Sequence, residues 1–311
     1  MSARAELLAD RGEAAAGEEF FRSRPFLDAE AATHTLRIES DGDELLAPLI
    51  VREIGNGPER DAISPYGYPG IQAPDGVEVD LSTIDLSTTG IVSAFIRHSL
   101  GPPPLAGAAE RNIVQVADPA LPRKSRMSDR QQIRKNLKRG YELRIVPGPE
   151  TNPAERSGFL DAYEQTMVRT EAAERYFFGA AYFDRILESP ATWLALAHAP
   201  GGEIAAASIA ARSDGVLHYY LSGSADSHLR DSPMKNVLEA LIDFAAELGL
   251  PLNLGGGIVR GDRLEEFKRG FANREQPWHT SEVICDPAAY ERLTQAAGGS
   301  AQPGFFPAYR A

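Results

Sequence analysis

The spacing of apolar residues predicts strands and helices in a recurring order along the first part of the chain. Thr33–Ser40 and Leu45–Ile54 are predicted to be two strands joined by an Asp-Gly-Asp turn. Apolar residues recur at helical spacing in Thr88–Leu100, which predicts a helix, and Ala5–Ala16 predicts a shorter one. Asn112–Ala117 then predicts a strand. A hairpin needs a helix to cover its apolar face, so this order is typical of an α+β domain.

The second part of the chain repeats this order without repeating the residues. Glu203–Arg212 and Val216–Ser222 predict a hairpin around an Asp-Gly turn. The strongest helix is predicted over Pro233–Leu248, because its apolar residues recur at intervals of three and four and Ser232 can cap its start. Leu252–Leu254 predicts the strand that follows.

The two series of elements predict two α+β domains or one duplicated fold. We place the first domain at residues 1–148 and the second at 149–285. Residues 286–311 are expected to form a tail that packs back on the first domain. A basic helix and a strand within Leu121–Pro149 separate the two series.

Composition narrows the class of protein. With 43% apolar and 24% charged residues among 311, the chain can bury a substantial core. Its single cysteine, Cys285, excludes an intrachain disulfide and a cysteine-based metal site, and its six histidines are scattered, so we expect no metal and no resident cofactor. The sequence has no run of 18 apolar residues and no secretory leader, so we expect a cytoplasmic protein without a membrane span.

A basic segment stands out in this acidic chain, whose net charge is −12. Eight of the 17 residues from Arg123 to Arg139 are lysine or arginine. From Asp129 onward the segment predicts a helix anchored by Ile133 and Leu137. Its cations would form two adjoining stripes, one of Arg130, Arg134 and Lys138 and the other of Lys135 and Arg139. Such a run is either a solvated helix face or a surface that binds phosphate groups.

The strand Val216–Ser224 combines aromatic and small residues in a way that suits a binding site. Tyr220 shares a face with His218, and Ser222 lies among small residues where a ligand could approach the backbone. The alternative is that the aromatic rings simply pack the sheet, because such residues are favoured in strands.

Two further side chains are candidates for ligand binding. The loop Ser64–Gly70 presents Tyr66 between proline and glycine residues, and it is either a binding loop or a tight connection. Arg169 lies beyond the apolar stripe of a predicted helix, where we expect it to be free to bind an anion.

The segment Gly255–Phe271 opens with three consecutive glycines at a strand end, which permits close backbone contact. Asp262 is predicted to cap the helix that follows, with Glu265 completing an acidic variant of the capping box. Leu264, Phe267 and Phe271 would line the core side of this helix. Lys268 is then either a lone surface lysine or a functional one. The sequence contains no GxSxG or Walker motif and no GxGxxG after a strand, which argues against the usual hydrolases, NTPases and dinucleotide-binding enzymes.

Taken in order, these segments resemble the Fem family of aminoacyl-tRNA-dependent peptidyltransferases and its FemAB-like relatives. The resemblance covers most of residues 60–310, and its clearest part is a glycine-rich strand end followed by a Phe-Lys pair. Its motifs are SPYGYPG (64–70), IRKNLKRG (133–140), YEQTMVRT (163–170), HYYLSGS (218–224), GGGIVRGDRLEEFKRGF (255–271) and FFPAYR (305–310).

The resemblance implies an α+β fold with two GNAT-like domains in tandem and a transfer of an amino acid from tRNA to an acceptor amine. The family's Phe-Lys pair corresponds to Phe267 and Lys268, and we expect Lys268 to stabilise developing negative charge or to hold the terminal phosphates. The acceptor site of the family would correspond to Tyr66, Arg169 and Tyr220, with Ser222 beside them. The cationic stripes of 130–139 would bind the tRNA.

The sequence also departs from the family. No sustained heptad region corresponds to the coiled-coil arm of the peptidoglycan enzymes, so the acceptor is either a cell-wall precursor or a small amine. Two other functions stay open. One is an acyl-CoA-dependent N-acyltransferase of the GNAT class, although the junction 224–232 lacks closely spaced glycines and contains two aspartates. The other is a non-catalytic binding protein.

Overall fold

The structure is a computed structural model that describes residues 3–10, 19–298 and 305–311. Within these residues the chain forms twelve strands and seven α-helices. The strands are β1 Arg4–Leu8, β2 His34–Ser40, β3 Asp43–Glu53, β4 Arg60–Ile63, β5 Ser93–Arg97, β6 Ala109–Ala117, β7 Glu142–Pro147, β8 Thr192–His198, β9 Ile204–Ser213, β10 Val216–Ser224, β11 Leu252–Gly255 and β12 Arg274–Ile284. The helices are α1 Arg24–Ala29, α2 Met127–Lys138, α3 Pro153–Arg169, α4 Ala180–Ile186, α5 Met234–Glu247, α6 Arg263–Arg269 and α7 Pro287–Ala296.

The chain divides into two compact units, each built from separate segments. The first unit contains the described residues of 1–15, 30–111 and 278–311, and the second contains those of 16–29 and 112–277. The divisions between the units differ from the boundaries predicted at residues 148 and 285. The reason is the pairing of the strands, since β7 pairs with β8 in the second unit and β12 pairs with β5 in the first.

The sheet of the first unit has the order β1-β2-β3-β4-β5-β12. The predicted hairpin is present as β2 and β3, which pair from His34–Leu49 to Ser40–Asp43. The helix predicted over Thr88–Leu100 is wrong, because its centre forms β5 between β4 and β12. A strand that is paired along both edges and buried on both faces is apolar almost throughout, so it loses the alternation that identifies a strand.

The helix predicted over Ala5–Ala16 is also wrong where the structure describes it. Residues 4–8 form β1, which pairs antiparallel with β2, and residues 11–16 lie outside the described ranges. In place of a covering helix, apolar residues from loops close the core of this unit against the sheet. They include Ile71, Val79, Ile84 and Leu105.

The sheet of the second unit has the order β6-β11-β10-β9-β8-β7, and helices pack on it. The predicted hairpin is present as β9 and β10, and α5 packs Val237 and Leu241 against alanines of β8 and β9. α3 packs on β9 and β10. Gly223 of β10 permits this contact, because a Cβ there would lie 2.4 Å from the carbonyl carbon of Ala162.

β10 and β11 are parallel neighbours that pair only over their first residues. The pairs are Leu217–Leu252 and His218–Asn253, although β10 continues to Ser224. A bulge between Tyr219 and Leu221 changes the register of β10 against β9 just where this pairing ends. β10 therefore continues beyond its pairing with β11, and the predicted site residues Tyr220 and Ser222 lie on this later part of the strand.

Candidate functional site

The end of β11 is shaped by its glycines. Gly255 has a φ of +77°, which favours glycine. A Cβ on Gly256 would lie 2.6 Å from Nδ2 of Asn112, and that amide donates to the carbonyl of Gly257 at 3.1 Å. The glycines thus let the chain turn away from the sheet in close contact with β6.

Asp262 fixes the loop that follows. Its Oδ2 accepts the backbone N–H groups of Ile258 at 2.7 Å and Val259 at 3.0 Å. Its Oδ1 accepts the N–H of Glu265 at 2.8 Å and so caps α6, as predicted. The bonds from Oδ2 of Asp262 to the loop backbone were not predicted. The sequence pattern of a helix cap identifies the oxygen that caps the helix but not the partners of the other oxygen.

Lys268 is a buried cation at this strand end. Its side chain is 9% exposed, and its Nζ donates to the carbonyl of Gly256 at 2.7 Å. Burial lowers the pKa of Lys268 to about 8, while the charge of Asp262 acts in the opposite direction. A lone surface lysine is therefore excluded. Phe267 packs edge-on against Phe271 with ring centres 5.6 Å apart, in agreement with its predicted core side.

The basic segment forms α2 and is held in place by a buried amide pair. Nδ2 of Asn136 donates to Oδ1 of Asn236 at 2.7 Å and to the carbonyl of Asp231 at 2.8 Å. Ile133 is buried as predicted, but the predicted anchor Leu137 is 51% exposed. Asn136 anchors the helix instead of Leu137, because α2 packs a polar stripe against α5. A pattern of hydrophobic residues alone does not identify such a stripe.

The cations of α2 fall into two groups. Arg139 pairs with Asp231, so its charge is neutralised within the chain. The other four face solvent and have no ionic partner in the part of the chain that the structure describes: Arg130, Arg134, Lys135 and Lys138. No acidic side chain shares their face, because Asp129 is buried against Lys235 at 2.8 Å.

The start of α2 contacts α6, the helix that carries Lys268. Nη2 of Arg126, the residue before α2, donates to the carbonyl of Glu266 in α6 at 3.0 Å. Gly270, which follows α6, packs against Arg126 and Asp129. The cationic helix and the buried lysine therefore belong to one connected part of the second unit.

Arg169 lies at the carboxyl end of β10 but has partners of its own. It forms an ion pair with Asp226, and its Nη2 donates to Oγ1 of Thr166 at 2.9 Å. The prediction that Arg169 is free to bind an anion is therefore wrong. The helix pattern alone could not show this carboxylate, because Asp226 follows Arg169 by 57 residues in the sequence.

Tyr220 and Ser222 occupy the same strand in different surroundings. The Tyr220 hydroxyl lies 2.9 Å from that of Tyr182, and its ring contacts three phenylalanines of residues 20–26 edge-on. Ser222 is half-buried and bonds the hydroxyl of Tyr219, whose pKa burial raises to about 12. The close backbone approach expected beside Ser222 is made by α3 at Gly223.

Tyr66 belongs to the first unit. Its backbone N–H donates to Oε2 of Glu30 at 2.8 Å, and Arg97 holds the start of the same loop by donating to the Ser64 carbonyl at 2.6 Å. A cavity of ≈ 510 Å³ also lies in this unit, between Glu59, Cys285 and Arg292, and it includes none of the predicted site residues.

Two further observations concern the described residues as a set. Residues 3–10, 19–298 and 305–311 contain no group of three or more His, Cys, Asp or Glu side chains arranged to hold a metal ion. None of the helices in these ranges combines the length and the apolar character needed to cross a bilayer.

Comparison with known proteins agrees with this architecture. Residues 123–269 match the family model described as the acetyltransferase (GNAT) domain, whereas no curated protein sequence matches the chain. Among solved structures, FemX is similar with a TM-score of 0.61 at 10% identity, covering 87% of this chain and 93% of that one. The C-terminal domain of a putative lysylphosphatidylglycerol synthetase from Agrobacterium fabrum gives 0.55 at 13% identity, covering 88% and 89%. L-PGS from Bacillus licheniformis gives 0.52 at 12% identity, covering 84% and 90%.

These similarities concern the fold. Identities of 10–13% leave substrates open, but the shared architecture confirms the predicted class, α+β with two GNAT-like domains in tandem. Residues 123–269 thus match the model of the GNAT domain, and the chain as a whole is similar in fold to FemX.

Proposed function

We propose that this protein is an acyltransferase that moves an aminoacyl group from a tRNA to an acceptor amine and forms an amide bond. The observation that carries the proposal is the solvent face of α2, whose four cations have no ionic partner among the described residues. A surface of this kind attracts phosphate groups, because each neutralised phosphate releases counterions. The proposal is supported by the contact of Arg126, the residue before α2, with a carbonyl of α6, the helix that carries Lys268.

The proposed reaction needs alignment and charge stabilisation more than covalent chemistry. The lone pair of the acceptor amine attacks the ester carbonyl, and the carbonyl oxygen becomes an oxyanion. Collapse of this intermediate breaks the ester C–O bond, releases the 3′ hydroxyl of the tRNA and leaves an amide once the nitrogen has lost a proton. Lys268 would stabilise the oxyanion, since a cation acts more strongly in a buried environment than in water.

The acceptor in this proposal is an amine on a small molecule or a cell-wall precursor. Ser222 in the second unit is proposed to bind this acceptor, and a binding role of Tyr66 in the first unit stays a prediction. Arg169 would contribute only by exchanging Asp226 for an acidic group of the acceptor. Tyr220 would contribute through a hydroxyl that also lies beside Tyr182.

The donor is tested by measuring tRNA affinity as a function of salt. A variant that changes Arg130, Arg134, Lys135 and Lys138 to glutamine should lose at least about tenfold in affinity, and its plot of log K against log salt should be shallower by about 3. Ser128→Ala combined with Gln131→Ala alters exposed positions of the same helix without changing charge, so it should bind as the wild type does. Equal affinity of all three proteins would contradict the proposal.

The role of Lys268 is tested by transfer of a labelled amino acid from charged tRNA to amines. Lys268→Met should reduce transfer by orders of magnitude while the thermal transition of the protein is retained. Lys268→Arg keeps the charge and should retain more activity than the Met variant. Near-normal transfer by Lys268→Met would remove Lys268 from the mechanism.

An acyl-CoA donor is the second candidate, because residues 123–269 match the acetyltransferase (GNAT) domain. One observation argues against an acyl-CoA donor. The backbone N–H groups of Lys235 and Asn236 at the start of α5, which would have to bind the pyrophosphate, already donate to the carbonyls of Ser232 at 3.0 Å and Pro233 at 2.9 Å. Thermal protection by CoA but not by tRNA would favour this candidate.

A further inference from the structure

The loop between β11 and α6 carries an exposed apolar tip. Ile258 is 84% exposed and Val259 is 69% exposed, the two highest values among the large apolar side chains of the described residues. Single exposed aliphatic residues are common on protein surfaces, but two adjacent ones at the tip of a loop leave a continuous apolar protrusion in water.

The loop is built to hold these side chains outward. Both backbone N–H groups at the tip point inward to Oδ2 of Asp262, at 2.7 and 3.0 Å. A Cβ on Gly257 would lie 2.4 Å from the other carboxylate oxygen, so the backbone packs closely around Asp262. The turn therefore satisfies its own polar groups, and its aliphatic side chains remain as the unpaired surface.

Two arginines flank the apolar tip. Arg260 and Arg263 are exposed and have no ionic partner in the ranges that the structure describes. The one acidic side chain within 258–264, Asp262, is turned toward the backbone of the loop. Leu264 was predicted to face the core, but it is 41% exposed and extends the apolar surface onto α6. An aliphatic centre with a cationic rim is the chemistry that suits the interface of an anionic bilayer.

We propose that the tip formed by Ile258–Leu264 docks into the headgroup region of an anionic lipid surface. A single-stranded nucleic acid would prefer aromatic rings on which bases can stack, and the tip has none. A stable protein partner needs about 800 Å² on each side, more than a convex tip of a few residues offers. A fluid lipid interface, in contrast, adapts to a small convex surface.

The docking has a consequence that rests on the proposed function. Gly256, whose carbonyl accepts the bond from Lys268, lies two residues before the tip. A docked tip would bring this end of β11 close to the lipid headgroups, so acyl transfer would take place at a membrane surface.

The experiment is co-sedimentation of the full chain with vesicles of equal parts phosphatidylcholine and phosphatidylglycerol. The wild type should bind these vesicles more strongly than pure phosphatidylcholine, and salt should weaken the preference. Ile258→Ser combined with Val259→Ser should lower the partition coefficient about tenfold or more. Arg260→Gln combined with Arg263→Gln should remove most of the preference for the anionic lipid.

Val168→Ser is the matched control, because Val168 on α3 is 67% exposed, and its partition coefficient should equal that of the wild type. Absence of wild-type binding, or equal binding by the wild type and the Ile258/Val259 variant, would overturn the docking proposal. Binding that requires an added protein would also overturn it. Vesicle binding needs no donor, so its failure leaves the transfer assay with Lys268→Met unaffected as a test of the proposed function.

Discussion

At the scale of the residue, the candidate site depends on the buried cation of Lys268 and on the carboxylate of Asp262, whose charge acts on it. Burial lowers the pKa of Lys268 to about 8, and the negative charge of Asp262 opposes this shift. Asp262 also fixes the loop backbone, so a single carboxylate both shapes the strand end and favours the charged form of the lysine.

This arrangement predicts the pH dependence of the transfer reaction. If Lys268 acts as a cation, kcat/KM should fall above pH about 8, because the ammonium loses its proton there. Asp262→Asn retains a side chain able to cap α6 but removes the charge, so the fall should begin at lower pH. Lys268→Arg stays protonated and should show no fall in this range. A rate that instead rises as Lys268 deprotonates would indicate a general base.

Buried histidines predict a loss of stability in acid. Burial lowers the pKa of His218 to about 4, whereas the unfolded chain has the ordinary value of 6.5. Between these values the unfolded state binds a proton that the folded state does not, so stability falls as the pH decreases from about 6.5 to about 4. Denaturation at about pH 7 and about pH 5 should show a loss of about 2 kcal/mol from this residue.

His218→Gln keeps a side chain that can accept from Nδ2 of Asn253, which lies 3.1 Å from the histidine ring. The variant should lose this part of the pH dependence. The pKa of His98 in the first unit is lowered to about 4 by burial as well, so a smaller dependence should remain. An unchanged pH dependence in His218→Gln would show that the residue titrates normally in the folded protein.

At the scale of the element, α2 combines a buried polar side with a charged outer side. Asn136 is fully buried and joins this helix to α5 through Asn236, while Gln132 donates to Oδ1 of Asn136 at 2.8 Å. The bonds hold the cationic face in a fixed orientation. A helix with few apolar contacts needs such bonds, because like charges along its outer face destabilise it.

We predict that Asn136→Ala lowers the free energy of unfolding by about 1–3 kcal/mol, because it leaves Oδ1 of the buried Asn236 without its donor and removes one of the two side-chain donors to the Asp231 carbonyl. Leu137→Ala on the same helix should change it by less than about 0.5 kcal/mol, since Leu137 is 51% exposed. Urea denaturation of the two variants provides the comparison. Equal losses would mean that Leu137 anchors the helix after all.

The sequence alone predicted the elements whose pattern depends on residues close together in the chain. The hairpin of β9 and β10, the apolar stripe of α5 and the cap of α6 were predicted because each depends on residues a few positions apart. β5 was missed because its environment is set by β4 and β12, and β12 lies far away in the sequence. For the same reason the sequence suggested a free Arg169, whose partner Asp226 follows it by 57 residues.

At the scale of the whole molecule, each unit is completed by a distant part of the chain. Arg22 of the N-terminal segment pairs with Asp214 at 2.5 Å in the second unit. In the first unit, Asp61 is fully buried and accepts from Nε of Arg310 at 2.6 Å and from Nε of Arg52 at 2.9 Å. The Tyr309 hydroxyl also bonds Asp61, at 3.2 Å. The C-terminal segment therefore supplies one of the two cations that neutralise a buried carboxylate.

Removal of Phe305–Ala311 tests this role of the C-terminal segment. The deletion leaves Asp61 buried with Arg52 as its only cation, so it should destabilise the first unit by about 3 kcal/mol or more.

The two tryptophans allow each unit to be followed separately, since Trp193 belongs to the second unit and Trp278 to the first. In a Trp193→Phe background, the deletion should lower the urea midpoint reported by Trp278. Arg292→Gln, which removes an exposed pair with Glu59, should shift that midpoint much less. An unshifted Trp278 midpoint after the deletion would mean that Arg52 alone neutralises Asp61.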